Sequence, residues 1–367
     1  MALPADDHFD HSAKFSEAEA SRWLADVEGL LDILVDPIDR RPLTLSGSKL
    51  IAQNGAVYPV IDGIPVLLHA DPTPTVRGTL FSLMLADLAL HGGAVDMLTA
   101  LGRPDHVKAQ IRREIDAGSD PADAVIRRLI RATNGPGYRD LSAGERPPVP
   151  AFPLQGDGER LIDIGCSWGR WTVAAARAGF HPLGVDPQLG PLLAAKRFAA
   201  KNRRNVQFVC ADARRLPFKD GAFRHAFSYS TLQHFRDADF SRALQEIARV
   251  LSASGTSTIQ MANRAGLRSL WHQARRGFRA PTGFEVRYRA VARMLAAFRQ
   301  AIGPTTISID CFFGLGLQTS DIAFLRPTAR LATRLSECLK AIDRNYVSLL
   351  WLADSLWFHS TAKTLAN

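Results

Sequence analysis

Apolar and polar positions along the chain change period several times, and each change marks a part. Residues 15–31 repeat apolar positions at helical spacing, with Ser16 and Glu19 placed as a capping box, and predict an amphipathic helix. Residues 34–68 switch to short β-rich runs punctuated by Asn54-Gly55 and Asp62-Gly63, pairs that favour hairpin turns. Residues 76–134 return to helical spacing in pieces, broken at Gly92-Gly93, Gly102-Arg103-Pro104 and Ser119-Asp120-Pro121. Residues 142–158, with Pro147, Pro148, Pro150 and Pro153 and little periodicity, read as a linker.

Beyond the linker, strand and helix patterns alternate. Strands are predicted at 161–165, 182–186, 206–212, 225–230 and 256–263, with helices running to Ala178, over about 189–201 and over 240–251. This order predicts an α/β fold with a doubly wound, mostly parallel sheet. Further strands are expected at 307–313 and 355–363, around a helical insertion at about 328–350. The division that follows is 1–75, a helix plus a small β-rich module; 76–141, a helical segment; 142–158, the linker; and 159–367, the α/β domain, with insertions near 264–304 and 328–350.

Composition adds limits. Of 367 residues, 46% are hydrophobic and 22% charged, the balance of a globular protein rather than a disordered or fibrous one. Cys166, Cys210, Cys311 and Cys338 are far apart, so neither a disulfide scaffold nor a cysteine-rich zinc module is expected, and Cys166 and Cys210 read as core thiols. His8 and His11 have metal-like spacing in an acidic tail and read as solvated, so no metal is expected. The acidic start lacks a basic n-region and an apolar core, and the apolar window Leu80 to Leu101 is broken by Asp87, His91 and Asp96. A cytoplasmic protein is expected. The net charge of +9 is uneven: residues 264–299 hold nine arginines against Glu285 alone. That stretch suits an anionic partner, phosphate-bearing or an anionic membrane surface at its inner face, although a solvated basic helix face would look the same.

In a doubly wound sheet, ligands bind beyond the carboxyl ends of the strands. The first strand ends in Asp163-Ile-Gly165-Cys-Ser167-Trp-Gly169, a glycine-bearing turn into a helix. A dinucleotide fingerprint needs glycines where Ser167 and Arg170 stand, so NAD fits poorly. The second strand ends in Asp186, placed to accept both hydroxyls of a ribose, and the third in Asp212-Ala213, able to read an adenine amino group. Taken singly, these could be turn glycines, a helix cap and a turn carboxylate.

The ordered set LIDIGCSWGRW, LGVDP, VCADARRLPF, AFSYSTLQHF and EIARVL resembles the class I S-adenosylmethionine-dependent methyltransferases over residues 158–263. The resemblance implies a seven-stranded Rossmann-like sheet whose last strand is antiparallel, with S-adenosylmethionine as cofactor. It implies that Gly165, Ser167 and Gly169 lie at the methionine end, Asp186 at the ribose, Asp212 and Ala213 at the adenine, and Ser230 beside the sulfonium, with Asp163 also among the cofactor-binding residues. Two positions depart from the pattern: Ser167 replaces the middle glycine, and Arg224 follows Phe223 where an aspartate is usual. Residues 34–68, ending Tyr58 to Leu68, resemble the Trm112-like zinc-ribbon module. Asp36 precedes Pro37 and residues 1–165 contain no cysteine, so the module is expected to lack metal and to serve in docking or scaffolding.

Methyl transfer to a hydroxyl needs positioning and a base. His234 is the first candidate base and Tyr229 the second, although His234 would equally pack its turn. Asn263, Arg264, Arg268, Trp271 and His272, directly after the fifth strand, are expected to grip the substrate. The reading is methyl transfer to a small or lipid-linked, anionic acceptor such as a sugar or glycan hydroxyl. A tRNA methyltransferase and a non-catalytic scaffold of the same fold are the alternatives.

Overall fold

The computed structural model describes residues 17–70, 76–133, 135, 137–204, 206–314, 316–345 and 349–363. The predicted first helix is α1, Glu17–Glu28. The capping box at Ser16 and Glu19 falls outside the described side chains, as do His8 and His11.

The β-rich module is a four-stranded antiparallel sheet of β1 (Leu43–Ser46), β2 (Lys49–Ala52), β3 (Val57–Ile61) and β4 (Ile64–Pro65), in chain order. Two of its three turns fall at the predicted hairpin pairs, and the third, between β1 and β2, is at Gly47-Ser48. The loop before β1 is closed by the buried carboxylate of Asp36. Its Oδ1 accepts from Ile38 N–H at 2.6 Å and Asp39 N–H at 3.0 Å, and its Oδ2 from Tyr58 O–H at 3.0 Å. Among the described residues, no group of three histidines, cysteines or carboxylates could hold a metal.

Four helices follow: α2 (Gly78–Leu90), α3 (Met97–Ala100), α4 (Asp105–Asp116) and α5 (Pro121–Thr133). The main sheet has seven strands, β5 (Arg160–Ile164), β6 (His181–Asp186), β7 (Gln207–Cys210), β8 (Phe223–Ser228), β9 (Leu251–Ala262), β10 (Thr305–Cys311) and β11 (Ser355–Thr361). Their spatial order is β10-β11-β9-β8-β5-β6-β7. Strands β5 to β9 pair in parallel, and β11 lies antiparallel between β9 and β10. The connecting helices are α6 (Arg170–Arg177), α7 (Leu189–Lys201), α8 (Asp237–Val250), α9 (Leu267–Arg275), α10 (Val291–Ala301) and α11 (Pro327–Asn345). This is the expected α/β fold, a mostly parallel Rossmann-like sheet of the methyltransferase type, with a separate small β-sheet.

The strand order reverses at β5, whose neighbours are β6 and β8, so the crevice at the carboxyl ends of these strands is the expected ligand position. The small module covers the free edge of β7. Leu67 N–H donates to the Cys210 carbonyl at 2.8 Å, and Leu34 bridges to Phe218. A covered edge cannot pair with a second chain. Helices α2 to α5 hold α7 at both ends: Ser82 Oγ accepts from Leu189 N–H at 2.9 Å at its start, and Lys201 at its end pairs with Asp123. Residues 142–158 have no regular structure, but they are no free tether. Phe152 packs on Phe227, Phe180 and Trp171 with ring centroids 4.7, 5.7 and 6.2 Å apart, pinning the segment to the domain.

Candidate active site

Two turns face each other at the switch point, one after β5 and one after β8. In the first, Gly165 has φ +76°, and a Cβ there would stand 2.3 Å from Thr231 Oγ1 in the opposite turn. Only glycine allows that approach. Ser167 and Ser230 also have positive φ, 49° and 58°, so two strained non-glycine residues meet at one cleft. Gly169, with φ +75°, starts α6. Its missing side chain makes room for Ala195 and Phe208, so it serves helix–sheet packing and does not line the cleft.

Asp186 closes the arrangement at the end of β6. Its Oδ2 accepts from Ser167 N–H at 3.0 Å and its Oδ1 from Gln188 N–H at 2.9 Å, tying the β5 turn to the β6 turn. Burial raises its carboxyl to about 6, against the pull of the two N–H groups. Each oxygen keeps acceptor capacity for a hydroxyl. Ser230 is fixed by its N–H on Gln260 Oε1 at 2.9 Å and by Gln233 Nε2 on its Oγ at 2.7 Å.

Between these turns lies a cavity of about 60 Å³, lined by Gly165 to Trp168, Arg170, Trp171, Tyr229 and Ser230, with Thr133 and Gly316 on its rim. One polar atom among its walls is buried without a partner, Nε of Arg170. The rest of the guanidinium is held by Asp321 and Tyr138, so Nε is the one donor it has left for a ligand. The small turn residues and this donor line the cavity, and Asp186 stands behind Ser167 rather than in the lining; together they suit S-adenosylmethionine, whose carboxylate and ribose need such partners. The space is far below the roughly 300 Å³ at the lower end of ligand clefts, so the lining must open to admit it.

Several expected site residues are placed elsewhere. Asp163 is buried under α6, where its Oδ2 accepts from Thr172 Oγ1 at 2.7 Å. Burial raises its carboxyl to about 7, and it orients α6 rather than lining the cavity. Asp212 is forked by Arg214, with Nη2 at 2.7 Å and Nε at 3.0 Å, so its carboxylate is committed to a cation. Ala213 is a core residue. Asn263 is fully buried and spends its Nδ2 on the carbonyls of Trp351 and Ala353, at 2.9 and 2.8 Å, and its Oδ1 on Ala265 N–H, at 3.1 Å. It braces β9 and does not reach a substrate.

Neither proposed base survives. The His234 ring stacks on Phe284 at 4.0 Å, its Nδ1 lies 2.8 Å from the Phe284 carbonyl, and burial lowers its pKa to about 4. So weak a base, outside the cavity lining, is a packing residue. Burial pushes the Tyr229 hydroxyl far up, and it donates to Asp310 Oδ2 at 3.1 Å while accepting from Gln318 Nε2 at 2.6 Å. The arginine-rich stretch is partly spent on its own fold: Arg289 holds Asp237 and the Phe235 carbonyl, Arg279 holds Glu285, and Arg293 holds Asp237. Arg264, Arg268, Trp271 and His272 stand at or near the surface around α9, with Arg268 over the Trp271 ring.

Sequence reasoning missed a second cavity. Trp171 forms one of its walls as well as one of the first, and it holds about 160 Å³ among Asp310, Gln318, Glu337, Lys340 and Trp357. Asp310 Oδ2 gathers Ser355 Oγ at 2.7 Å, Tyr229 O–H at 3.1 Å and Gln260 Nε2 at 3.4 Å, and burial raises its carboxyl. A carboxylate in the strand pattern at 307–313 was the visible signal. Gln318, Glu337 and Trp357 gave none, because they come from separate segments.

Residues 161–255 match the family model described as a methyltransferase domain. A demethylmenaquinone methyltransferase of Corynebacterium kroppenstedtii is 33% identical over 28% of this chain and 41% of its own length. An O-methyltransferase of Aspergillus nomiae is 34% identical over 26% of this chain and 42% of its own. The chain thus spans about two fifths of the length of these curated relatives. A solved S-adenosylmethionine-dependent methyltransferase of Thermotoga maritima overlaps 57% of this chain and 84% of its own, at 18% identity and a TM-score of 0.39. Residues 161–255 thus match a methyltransferase domain, set in a seven-stranded sheet whose β11 is reversed between β9 and β10.

Proposed function

We propose that this protein transfers a methyl group from S-adenosylmethionine to a hydroxyl of a small or lipid-linked acceptor, a sugar or glycan being the first class to test. The observation that carries the reading is the Ser167–Asp186 link across the switch point, beside the orphan Nε of Arg170. One relative supports a hydroxyl acceptor, since it is named as an O-methyltransferase.

The cofactor, when bound, supplies a methyl group activated on a sulfonium. The chain's own residues then position, exclude water and take a proton. Asp186 holds a ribose, Arg170 a carboxylate, and the turns at Gly165 and Ser230 shape the space between. The second cavity offers an acceptor two indoles, Trp171 and Trp357, against which a sugar face can lie, with Gln318 and Lys340 as donors. Asp310 is the carboxylate there able to accept the hydroxyl proton, and its raised pKa makes it a better base than an ordinary aspartate. Positioning of this kind is worth up to about 7–11 kcal/mol in ideal cases.

The N-terminal sheet is read as a docking or scaffolding module of the Trm112-like kind. Support comes from its seat along β7 and from the Asp36 loop, closed by hydrogen bonds to a carboxylate.

Calorimetric titration of S-adenosylmethionine into wild type and Asp186→Ala tests the cofactor half. Micromolar binding lost in the variant is expected, and no binding to wild type overturns the reading. Labelled methyl transfer to glycan-lipid extracts, abolished by Asp310→Asn, tests the acceptor half. Transfer to small phenols or quinols instead would replace the glycan.

A further inference from the structure

Helix α9 turns an apolar and basic face outward at the carboxyl end of β9, the end of the sheet that also carries the candidate site. It follows β9 directly, and the chain entering β11 lies against its first turn, where Ser269 N–H donates to Asp354 Oδ1 at 2.7 Å. Asn263 Nδ2 reaches the Trp351 carbonyl at 2.9 Å, which brings residues 351–352 beside the helix. On this surface Leu267, Leu270 and Trp271 are 47%, 42% and 47% exposed, and Trp351 and Leu352 are 58% and 46% exposed. Just past the helix, Phe278 is 67% exposed. Among the described residues nothing covers them. So many large apolar side chains together are uncommon on a protein that meets only water.

Cations frame the patch. The Arg275 and Arg268 guanidinium carbons lie 4.8 and 5.6 Å from the Trp271 ring centroid. Neither of them, nor Arg264, has a carboxylate partner among the described residues, whereas Arg279, Arg289 and Arg293 nearby are all paired. Glu285 is the one acid in 264–299, and Arg279 holds it. Indole and phenyl rings favour the polar–apolar boundary of a bilayer, leucines enter just below it, and arginine stems lie along the apolar surface with their charge at the headgroups. A nucleic acid would use the arginines and rings but gain nothing from exposed leucines, so lipid is the better fit.

We propose that α9 and residues 351–352 dock this protein on an anionic lipid bilayer. The inference stands whether or not the methyl-transfer reading does. In a docked molecule the carboxyl ends of β9 and β10, and with them Asp310, face the membrane side.

The test is flotation of the full chain with vesicles of phosphatidylcholine containing phosphatidylglycerol, and with phosphatidylcholine alone. Association with the anionic vesicles only is expected. Arg268→Gln with Arg275→Gln should weaken it about fivefold per arginine, so about 25-fold for the pair. Leu270→Ser with Trp271→Ser should weaken it at least as much. All four side chains are on the surface, so circular dichroism should match wild type and separate lost docking from lost folding. No association with anionic vesicles, equal association with neutral ones, insensitivity to either variant pair, or salt-sensitive tRNA binding in place of vesicle binding would each overturn the proposal.

Discussion

Arg170, at the start of α6, and Asp321, in the turn before α11, form an ion pair with both side chains almost wholly buried, 151 residues apart in the chain. Tyr138, just after the helical cap, donates to the same carboxylate and accepts from Arg170 Nη1 at 3.1 Å. One cluster thus joins three segments around the cavity: the cap, the glycine turn and the last insertion. Arg170→Met would strand the Asp321 charge and is expected to cost about 3–5 kcal/mol. Adding Asp321→Leu should recover most of that loss. Urea unfolding of both variants checks it, and equal loss in single and double variants would show the pair to be unimportant.

The cleft turns make a sharper comparison among small residues. Gly165→Ala meets both a positive φ and a Cβ 2.3 Å from Thr231, whereas Gly47→Ala at φ +56° meets open space. Strain alone is worth about 1–2 kcal/mol, and overpacking adds about 1–3 kcal/mol. Thermal unfolding should therefore rank Gly165→Ala well below Gly47→Ala. Ser167→Gly should move the other way, since it relieves φ +49° while the bond to Asp186 comes from the backbone.

Legibility divided along a physical line. The seven strands and the turns after β5 and β6 were readable, because period and glycine placement act over a few residues. Ser167 and Asp186 do meet, as their positions at neighbouring strand ends require. Asp212 and Asn263 misled, because their partners, the Arg214 fork and the Trp351 and Ala353 carbonyls, are set by packing that no local pattern encodes. His234 misled for the same reason: its environment is made by Phe284, 50 residues away. Asp310 went unnamed because its hydrogen-bond donors come from three other strand ends.

Asp163 gives a stability prediction with a definite sign. Its carboxyl rests at about 7 in the folded protein, against a value of 3.8 without the fold. Between those values the folded state binds the extra proton, so stability falls as pH rises through the window. In Asp163→Asn the amide oxygen still accepts from Thr172, and this contribution vanishes. The Tm advantage of the variant should be smallest at pH 4 and grow up to about pH 8. A pH-independent difference would mean that Asp163 does not titrate in this range.

Asp186 ties pH to the proposed cofactor. Raised to about 6, its carboxyl is charged at pH 7.5 and largely protonated at pH 5. A protonated oxygen donates and can no longer accept a ribose hydroxyl alongside its N–H partner. S-adenosylmethionine affinity should fall as pH drops through 6, and Asp186→Asn should bind weakly with no such dependence. Calorimetry at the two pH values decides it, and a wild-type affinity flat from 7.5 to 5 would exclude Asp186 as the ribose acceptor.

Asp36 bears on how the N-terminal sheet holds together. Its two oxygens satisfy two backbone N–H groups and the buried Tyr58 hydroxyl, whose pKa burial and this carboxylate raise together. Asp36→Ala leaves all three donors unpaired at about 1–3 kcal/mol for a buried polar group. Asp36→Asn keeps one acceptor oxygen and should cost less. Because Tyr58 lies on β3, and the chain leaving the neighbouring β4 bonds the Cys210 carbonyl through Leu67 N–H, loosening this loop should also expose the β7 edge. Hydrogen exchange at Phe208 to Cys210 should rise in Asp36→Ala and far less in Asp36→Asn; unchanged exchange there would mean that the sheet seats on β7 without help from this loop.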